Sequence, residues 1–447
     1  MPHRLPTTGR YRISNDVLIL ILENMDATTL YRVCKVFERI RYLVSQFHHL
    51  TYKYELALSG MSDGTLLPSK RTLALRLKLL LTYRKEWSRL HWTGEQRVKL
   101  PVTSTLSGVT GDFVYYTHHL RFNTNPTPVS VAIDPSQSLI VVGHALGAPA
   151  GQLAMRLKVR NLWNFDKHPH ARDAYFDFLA PIALAPPLEK MTLSICGNKV
   201  AASLQCAGGV IKQLLLDWTS FQATWMEDLD VHFVKSNYLL GAKIYRGKAV
   251  VHLYNISNLS KVIIEREYEL PPHWAQANLS FAPNASLTGD APSPARALFY
   301  ADANVRILLL SAQVNGHKQW LIINESYFRP TSRPDRQFVP WAEWNNYCLM
   351  KNLPAFPVVR NVQVIGNRVL YLESNFPAYP ERHSPPKGPW FHFGSRSVLF
   401  PTESFKDISS RSQGVELDSI AATEDNIVLF SVSTKSAYST HLRTDLS

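Results

Sequence analysis

Cysteine is scarce and unpatterned. The four residues Cys34, Cys196, Cys206 and Cys348 form no C-x-x-C pair and no Cys/His set at zinc spacing, which excludes a disulfide framework or a zinc domain and suits buried free thiols in a reducing compartment. Long hydrophobic runs are missing too. The richest stretch, Leu73 to Leu81, contains Arg76 and Lys78 and falls far short of a membrane span. Met1 to Arg12 has no apolar core ahead of a small-residue cleavage site, as a secretory signal would. The expectation is a soluble, unsecreted chain with no membrane partner, cytoplasmic or nuclear, whose sequons at Asn278 and Asn284 carry no glycan. Acidic residues are the third shortage: 35 Asp+Glu face 48 Lys+Arg, a net charge of +13. Residues 1 to 100 alone hold 17 Lys+Arg against 8 Asp+Glu, so most of the excess lies there. No basic stripe with interleaved aromatics and no finger or basic-zipper spacing accompanies it, so the charge reads as solvated helix faces and no nucleic-acid partner is expected.

Catalytic signatures are equally absent. There is no G-x-S-x-G elbow, G-x-x-x-x-G-K-[ST] loop, G-x-G-x-x-G turn or H-E-x-x-H helix. A hydrolase on a β scaffold using two carboxylates is the enzymatic alternative, and no residue pattern supports it. His168-Pro-His170 with Asp166 and Asp173 is the best metal-like cluster, but it lacks ligand spacing on one face and reads as a solvated loop. No catalytic residue, metal or cofactor is expected.

What the chain does have is core material: 45% apolar residues, with 10 Trp, 19 Tyr and 20 Phe, enough for a large domain and a smaller attachment. Residues 13 to 92 read as helical, with apolar residues at three- and four-residue steps and no Pro between Pro6 and Pro68. From about Val98 short apolar runs take over: Val129 to Ile133, Leu139 to Val142, Met155 to Val159, Ile211 to Leu216, Val250 to Tyr254, Val305 to Leu310, Trp320 to Ile323, Val369 to Leu372 and Ile427 to Val432. Gly197-Asn198, Arg246-Gly247 and Gly366-Asn367 supply hairpin turns between such runs. The Pro-rich segments Pro283 to Pro294, Arg329 to Pro340 and Pro377 to Pro389 read as exposed loops. Strand pairs recur at an irregular step of roughly 50 to 65 residues, which suggests the blades of a degenerate, WD-repeat-like β-propeller. No Trp-Asp signature recurs, and a sandwich of two stacked sheets is the alternative.

Near the start of the chain, Ser14 or Asn15 can cap a helix whose broad face carries Val17, Leu18, Ile21, Leu22 and Met25. Asp26 can cap a second helix carrying Leu30, and Val33, Val36, Phe37, Ile40 and Leu43 continue an apolar face. The stretch Ile13 to Leu43 resembles the F-box pattern L-P-x-E-L-L-x-x-I-L-x-x-L-x-x-x-D-L-x-x-C-x-x-V-C-K-x-W-x-x-L. Ile13 stands at the first Leu, Asp16 at the acid, Val17 and Leu18 at the paired aliphatics, Ile21 and Leu22 at Ile-Leu, and Met25 at the Leu that ends the first helix. Ser14 replaces the helix-starting Pro, Phe37-Glu38 replaces Cys/Ser and Lys/Arg, and Ile40 replaces an aromatic. Farther on, Tyr52 to Gly64, Trp87 to Trp92, Ile133 to Gln137, Leu216 to Trp218, Val251 to Ile256 and Val339 to Trp344 are similar, in order, to landmarks of a large F-box family of mushroom-forming fungi.

The resemblance implies an α+β, multi-domain chain: a flexible tail (1–12), an F-box (13–50), a helical linker (51–97) and an all-β, propeller-like domain (98–447). It implies a non-catalytic substrate receptor of an SCF-type ubiquitin ligase. Ile13, Asp16, Val17, Leu18, Ile21, Leu22, Met25, Leu30, Val33, Val36, Phe37, Ile40 and Leu43 would face a Skp-type adaptor, which bridges to a cullin, while the β domain holds a protein substrate. The alternative is a propeller-like interaction scaffold with a vestigial F-box. The helix expected over Lys70 to Trp92, with Leu73, Leu77, Leu80 and Trp87 along one side, reads as core packing.

Overall fold

The structure, a computed structural model, describes residues 13–64, 72–89, 94–99, 104–110, 113–118, 129–147, 153–179, 188–206, 211–227, 229–284, 298–329, 337–353, 358–374, 391–397, 419–422, 426–431 and 436–441. Two compact units emerge: a helical one (1–85 with 293–300) and a β one (86–292 with 301–447).

In the helical unit, α1 (Asn15–Asn24), α2 (Ala27–Val36), α3 (Glu38–Gln46) and α4 (His48–Ser59) follow one another almost without linkers. Ser14 accepts a hydrogen bond from the Val17 amide at 3.4 Å and Asp26 one from the Thr29 amide at 2.9 Å, so side chains start α1 and α2. That Thr29 bonding holds the Asp26 carboxyl below its ordinary range. Single extended residues, Phe37 and Phe47, separate α2 from α3 and α3 from α4. The short strand β1 (Met61–Asp63) interrupts the helical run expected up to residue 92, and α5 (Leu73–Arg89) resumes it. Arg76 of α5 reaches Asp63 at 2.6 Å and donates to the Leu298 carbonyl at 2.9 Å, while the Gly64 amide donates to the same carbonyl at 2.8 Å. A segment distant in sequence, 293–300, therefore belongs to this unit.

The β unit opens with β2 (Gly94–Lys99), inside the stretch read as linker, and the hairpin β3 (Ser104–Thr110) with β4 (Phe113–His118). Three sheets of four antiparallel strands follow in chain order. The first holds β5 (Val129–Asp134), β6 (Leu139–Gly147), β7 (Leu153–Asn161) and β8 (Tyr175–Leu179). The second holds β9 (Leu188–Cys196), β10 (Lys199–Cys206), β11 (Ile211–Asp217) and β12 (Ala223–Glu227). The third holds β13 (Asp230–Lys235), β14 (Tyr238–Tyr245), β15 (Lys248–Asn255) and β16 (Ile263–Glu269). After β17 (Asn278–Phe281), the chain passes through the helical unit, where β18 (Phe299–Ala301) pairs with β1, and β19 (Ile307–Val314) and β20 (His317–Asn324) return to β17. Then β21 (Phe338–Val339) joins β16 in parallel, the short α6 (Trp341–Trp344) follows, and β22 (Cys348–Asn352) completes the sheet of β17, β19 and β20. Last come β23 (Val358–Ile365), β24 (Arg368–Ser374) and β25 (Phe391–Ser397), then β26 (Ser419–Ala422), β27 (Asn426–Ser431) and β28 (Ser436–His441), with β2 as the outermost strand beside β28.

The first strands of these sheets lie side by side in a ring. β3 contacts β5, β5 contacts β9, β13 contacts β17, β23 contacts β26 and β26 contacts β3, while β10 against β13 and β19 against β23 bridge the remaining joints. Small antiparallel sheets arranged radially, with the first strand closing the last sheet, make a β-propeller; the sandwich alternative is set aside.

The core lies between neighbouring sheets. Middle strands are covered on both faces, and their alternate residues serve different neighbours. On β11, Leu214 and Leu216 pack toward β5–β8 with Leu139, Val141 and Leu157, whereas Leu215 packs toward β13–β16 with Leu239 and Tyr254. On β19, Leu308 and Leu310 join one interface and Ile307 and Leu309 the other. Each such side chain contributes about 1.5–3 kcal/mol by burial. A charge such as Leu215→Asp would break a joint.

The expected loops fare differently. Pro283 to Pro294 and Arg329 to Pro340 lie mostly, and Pro377 to Pro389 wholly, outside the described residues. Phe338 and Val339 are a correction, because they form β21 rather than loop.

Candidate functional site

Val17 to Leu22 are six consecutive aliphatic residues inside α1. A helix turns once in 3.6 residues, so such a run covers the whole circumference and one side must face away from any single core. Ile19 and Leu22 point inward and pack with Leu30, Cys34, Val44 and Leu50. Ile13, Val17, Leu20 and Ile21 are exposed, Leu20 to 59%.

The next two helices repeat the division. Leu30, Tyr31 and Cys34 of α2 and Leu43 and Val44 of α3 are buried. Val36, 73% exposed, and Phe37, 56% exposed, stand at the elbow between α2 and α3. Arg39, two residues beyond Phe37, donates from Nη2 to the Ile13 carbonyl at 3.1 Å and to Asn15 Oδ1 at 2.7 Å. The exposed start of α1 is thereby pinned to the first turn of α3. At the other end of α1, Lys53 donates to the Glu23 carbonyl at 2.9 Å, and His49 lies 2.8 Å from the Glu23 carboxylate.

Of the residues read as adaptor-facing, Ile13, Asp16, Val17, Ile21, Val36 and Phe37 are exposed, and Leu18, Met25, Val33 and Ile40 are partly covered. Leu22, Leu30 and Leu43 are corrections: they are buried inside the unit and offer a partner no surface. Periodicity marks them as apolar but cannot assign them to the inner or outer side. Exposed Leu20 and Tyr42 were missed by pattern matching, because both occupy positions the F-box pattern leaves free. The aliphatic run itself was the available signal for Leu20.

Two other sequence landmarks resolve into structural networks within the β unit. Asp134 accepts from the Ser136 amide at 3.0 Å and from Gln137 Nε2 at 2.6 Å, and Gln137 Nε2 also donates to the Gly197 carbonyl at 2.9 Å, joining two sheets. Trp218 Nε1 donates to that same carbonyl at 3.0 Å, and His168 packs edge-on against the Trp218 ring at 4.8 Å. His168 is therefore buried, with Nε2 3.0 Å from the Gln137 carbonyl, and not part of a solvated loop. Among the described residues no group of three or more His, Cys, Asp or Glu is placed to hold a metal ion, and no helix is long and apolar enough to cross a membrane.

No family model matches this sequence, and no curated protein matches it. Solved structures that share its shape in part include the WD40 domain of SCAP from fission yeast, 8% identical, with 74% of this chain and 76% of that chain covered at a TM-score of 0.38. BamB from Moraxella catarrhalis is 10% identical, with 78% and 99% covered and a TM-score of 0.35. The β-propeller domain of the Trilobed protease from Pyrococcus furiosus is 10% identical, with 72% and 99% covered and a TM-score of 0.28.

Proposed function

We propose that this chain is an F-box protein, the substrate-recruiting subunit of an SCF-type ubiquitin ligase, in which the helical unit docks on a Skp-type adaptor and the propeller binds a protein substrate. The observation that carries the reading is the exposure of Ile13, Val17, Ile21, Val36 and Phe37 at positions where the F-box resemblance expects adaptor contacts. Apolar side chains grouped on a helical surface mark a binding face. Covering a half-exposed Val, Ile or Phe contributes roughly 1 kcal/mol, half of what full burial gives. Catalysis belongs to other subunits in this arrangement, and the receptor acts by raising the substrate's local concentration.

The test is a pull-down of the full chain with the adaptor and the cullin, comparing the native protein with a Val17→Asp, Ile21→Asp double variant. Both sites are exposed, so circular dichroism should be unchanged while adaptor capture falls at least roughly 100-fold, the effect of two charges in an apolar interface. Undiminished capture would sink the interface assignment.

One observation favours the scaffold with a vestigial F-box. Glu38 is 90% exposed and meets Arg41 only at 3.6 Å, so its negative charge stands open where the F-box pattern has a cation. If the adaptor is the partner, Glu38→Lys should tighten capture several-fold; a chain that captures no adaptor with either residue is a scaffold.

A further inference from the structure

Four consecutive sheets of the propeller share one turn. Their third strands β7, β11, β15 and β20 end in Asn161, Asp217, Asn255 and Asn324, whose side-chain oxygens accept from the amide two residues on at 2.9 to 3.0 Å. The amide of the next residue, Leu162, Trp218, Ile256 or Glu325, donates at 2.8 to 3.0 Å to the carbonyl just ahead of the second strand. The fourth residue on is Phe165, Phe221, Leu259 or Phe328. Three of these side chains meet the outer strand of the preceding sheet. Phe221 stacks on Phe176 of β8, Leu259 belongs to a buried cluster against which Met226 of β12 packs, and Phe328 lies edge-on to Tyr268 of β16 at 4.9 Å.

Phe165 departs from this pattern. Its amide donates to the Asn161 carbonyl at 3.0 Å, as that of Phe221 does to the Asp217 carbonyl at 2.7 Å, and both residues hold a positive φ, 59° and 65°. Such backbone is unfavourable for a bulky residue. Stacking offsets it at Phe221, whereas the Phe165 ring is 64% exposed. Two residues earlier, exposed Trp163 stands where the other turns have Thr219, Ser257 and Ser326, and Ser138 Oγ holds its indole at 3.1 Å. On β8, Tyr175 and Leu179 are exposed on the face turned away from Phe176 and Phe178, the side toward which the shared turn directs Phe165.

In the other three turns the cover is an extended outer strand, and that selects the occupant here. Exposed Asp166, Lys167, Arg172 and Asp173 surround the aromatic pair with charges of both signs, which suits the polar rim of a protein interface and opposes insertion into a lipid surface. We propose that Phe165, Trp163, Tyr175 and Leu179 form a docking surface for an extended segment of a protein partner, whose aromatic side chains stack on Phe165 as Phe176 stacks on Phe221. Aromatic anchors already held in place lose little freedom on binding. The docking rests on the propeller being the protein-binding part of the chain, and not on the adaptor contact of the helical unit.

The chain's own β8 is the natural probe, because it already covers the turn at Phe221. Fluorescence anisotropy on the full chain compares a labelled peptide of residues 173–179 (DAYFDFL) with one carrying Ser in place of both Phe176 and Phe178. The first should bind, and the second at least roughly tenfold more weakly. Phe165→Gly should lower the affinity for the first at least roughly tenfold and leave the melting temperature nearly unchanged, since Gly accepts the positive φ. Phe328→Ala, its buried counterpart, should lower that temperature. Trp163→Ser, the residue type of the other turns, should weaken binding several-fold. Equal binding of both peptides, no binding of the first, or affinity unmoved by Phe165→Gly would overturn the proposal. A melting temperature that falls with Phe165→Gly as it does with Phe328→Ala would overturn it as well, and so would binding to phosphatidylserine vesicles without binding to the peptide. No adaptor enters this assay, so the docking surface and the adaptor face fail or stand separately.

Discussion

Lys199 Nζ lies 2.6 Å from Asp217 Oδ2, and both side chains are nearly buried. Asp217 also accepts from Asn198, from the Thr219 hydroxyl at 2.6 Å and from the Ser220 amide at 3.1 Å. Burial, the largest influence on this carboxyl, pushes its pKa up, but the bonds from Lys199, Thr219 and Ser220 outweigh it and hold the group below its ordinary value. The stabilisation is therefore complete at neutral pH and is lost as pH falls below about 4, through the lowered folded value. Asp217→Ala should cost about 3–5 kcal/mol by leaving Lys199 buried and unpaired, whereas Lys199→Met with Asp217→Leu should cost less. Urea unfolding of the native chain and the two variants at pH 7 and pH 3 checks both statements, and equal costs at the two pH values would contradict the assignment.

Leu22 and Val17 sit five residues apart on one helix with opposite roles. Leu22→Ala opens a cavity against Leu30, Cys34 and Leu50 and should destabilise the helical unit by about 2–5 kcal/mol. Val17 is 47% exposed and lies outside that cluster, so Val17→Asp should cost far less, about 0.5 kcal/mol. Thermal melts of the two variants, read at helix-specific wavelengths, give the comparison.

Two glycines should respond differently to alanine. Arg246 and Gly247 both have positive φ, 50° and 76°, in the β14–β15 turn, and a Cβ at Gly247 would meet nothing within 4 Å. Gly247→Ala should cost only the backbone term, about 1–2 kcal/mol. Gly241 has ordinary backbone but lies against Leu229 and Tyr254, so a Cβ there collides with both. Gly241→Ala should cost more, up to about 3 kcal/mol. Reversal of that order in chemical denaturation would contradict the packing described for β14.

Burial pushes the Cys348 thiol up to about 12, with Sγ 3.7 Å from the Trp344 carbonyl, and burial raises the Cys34 thiol as well. Neither should form appreciable thiolate at neutral pH. Iodoacetamide labelling followed by mass spectrometry should modify both sites far more slowly in the folded chain than in urea.

The fold was legible where burial is two-sided. The middle strands β6, β11, β15, β19, β20 and β24 each coincide with an apolar run, because both faces of such a strand are covered. The outer strands β8, β12 and β22, and β16 beside the short β21, left little trace, since Tyr175, Leu179, Ile263 and Met350 stand exposed beside polar neighbours. Phe338 and Val339 were hidden for another reason: β21 is short and is defined by its partner β16. In the candidate site, Ser14 and Asp26 announced their helix starts because capping is local. Which of Val17 to Leu22 face inward depends on where α2 and α4 pack, which no window of α1 records. His168 was misread for the same reason, its partners Gln137 and Trp218 being distant in sequence.

The pairing of β2 with β28 also bears on biosynthesis. During translation β2 emerges more than 300 residues ahead of β28 and cannot pair with it until that strand leaves the ribosome. Among the described residues its partner is β28, so this joint of the ring forms late and slowly, as pairings between sequence-distant strands do. The nascent protein therefore depends on β2 being shielded from other open strand edges until β28 is made.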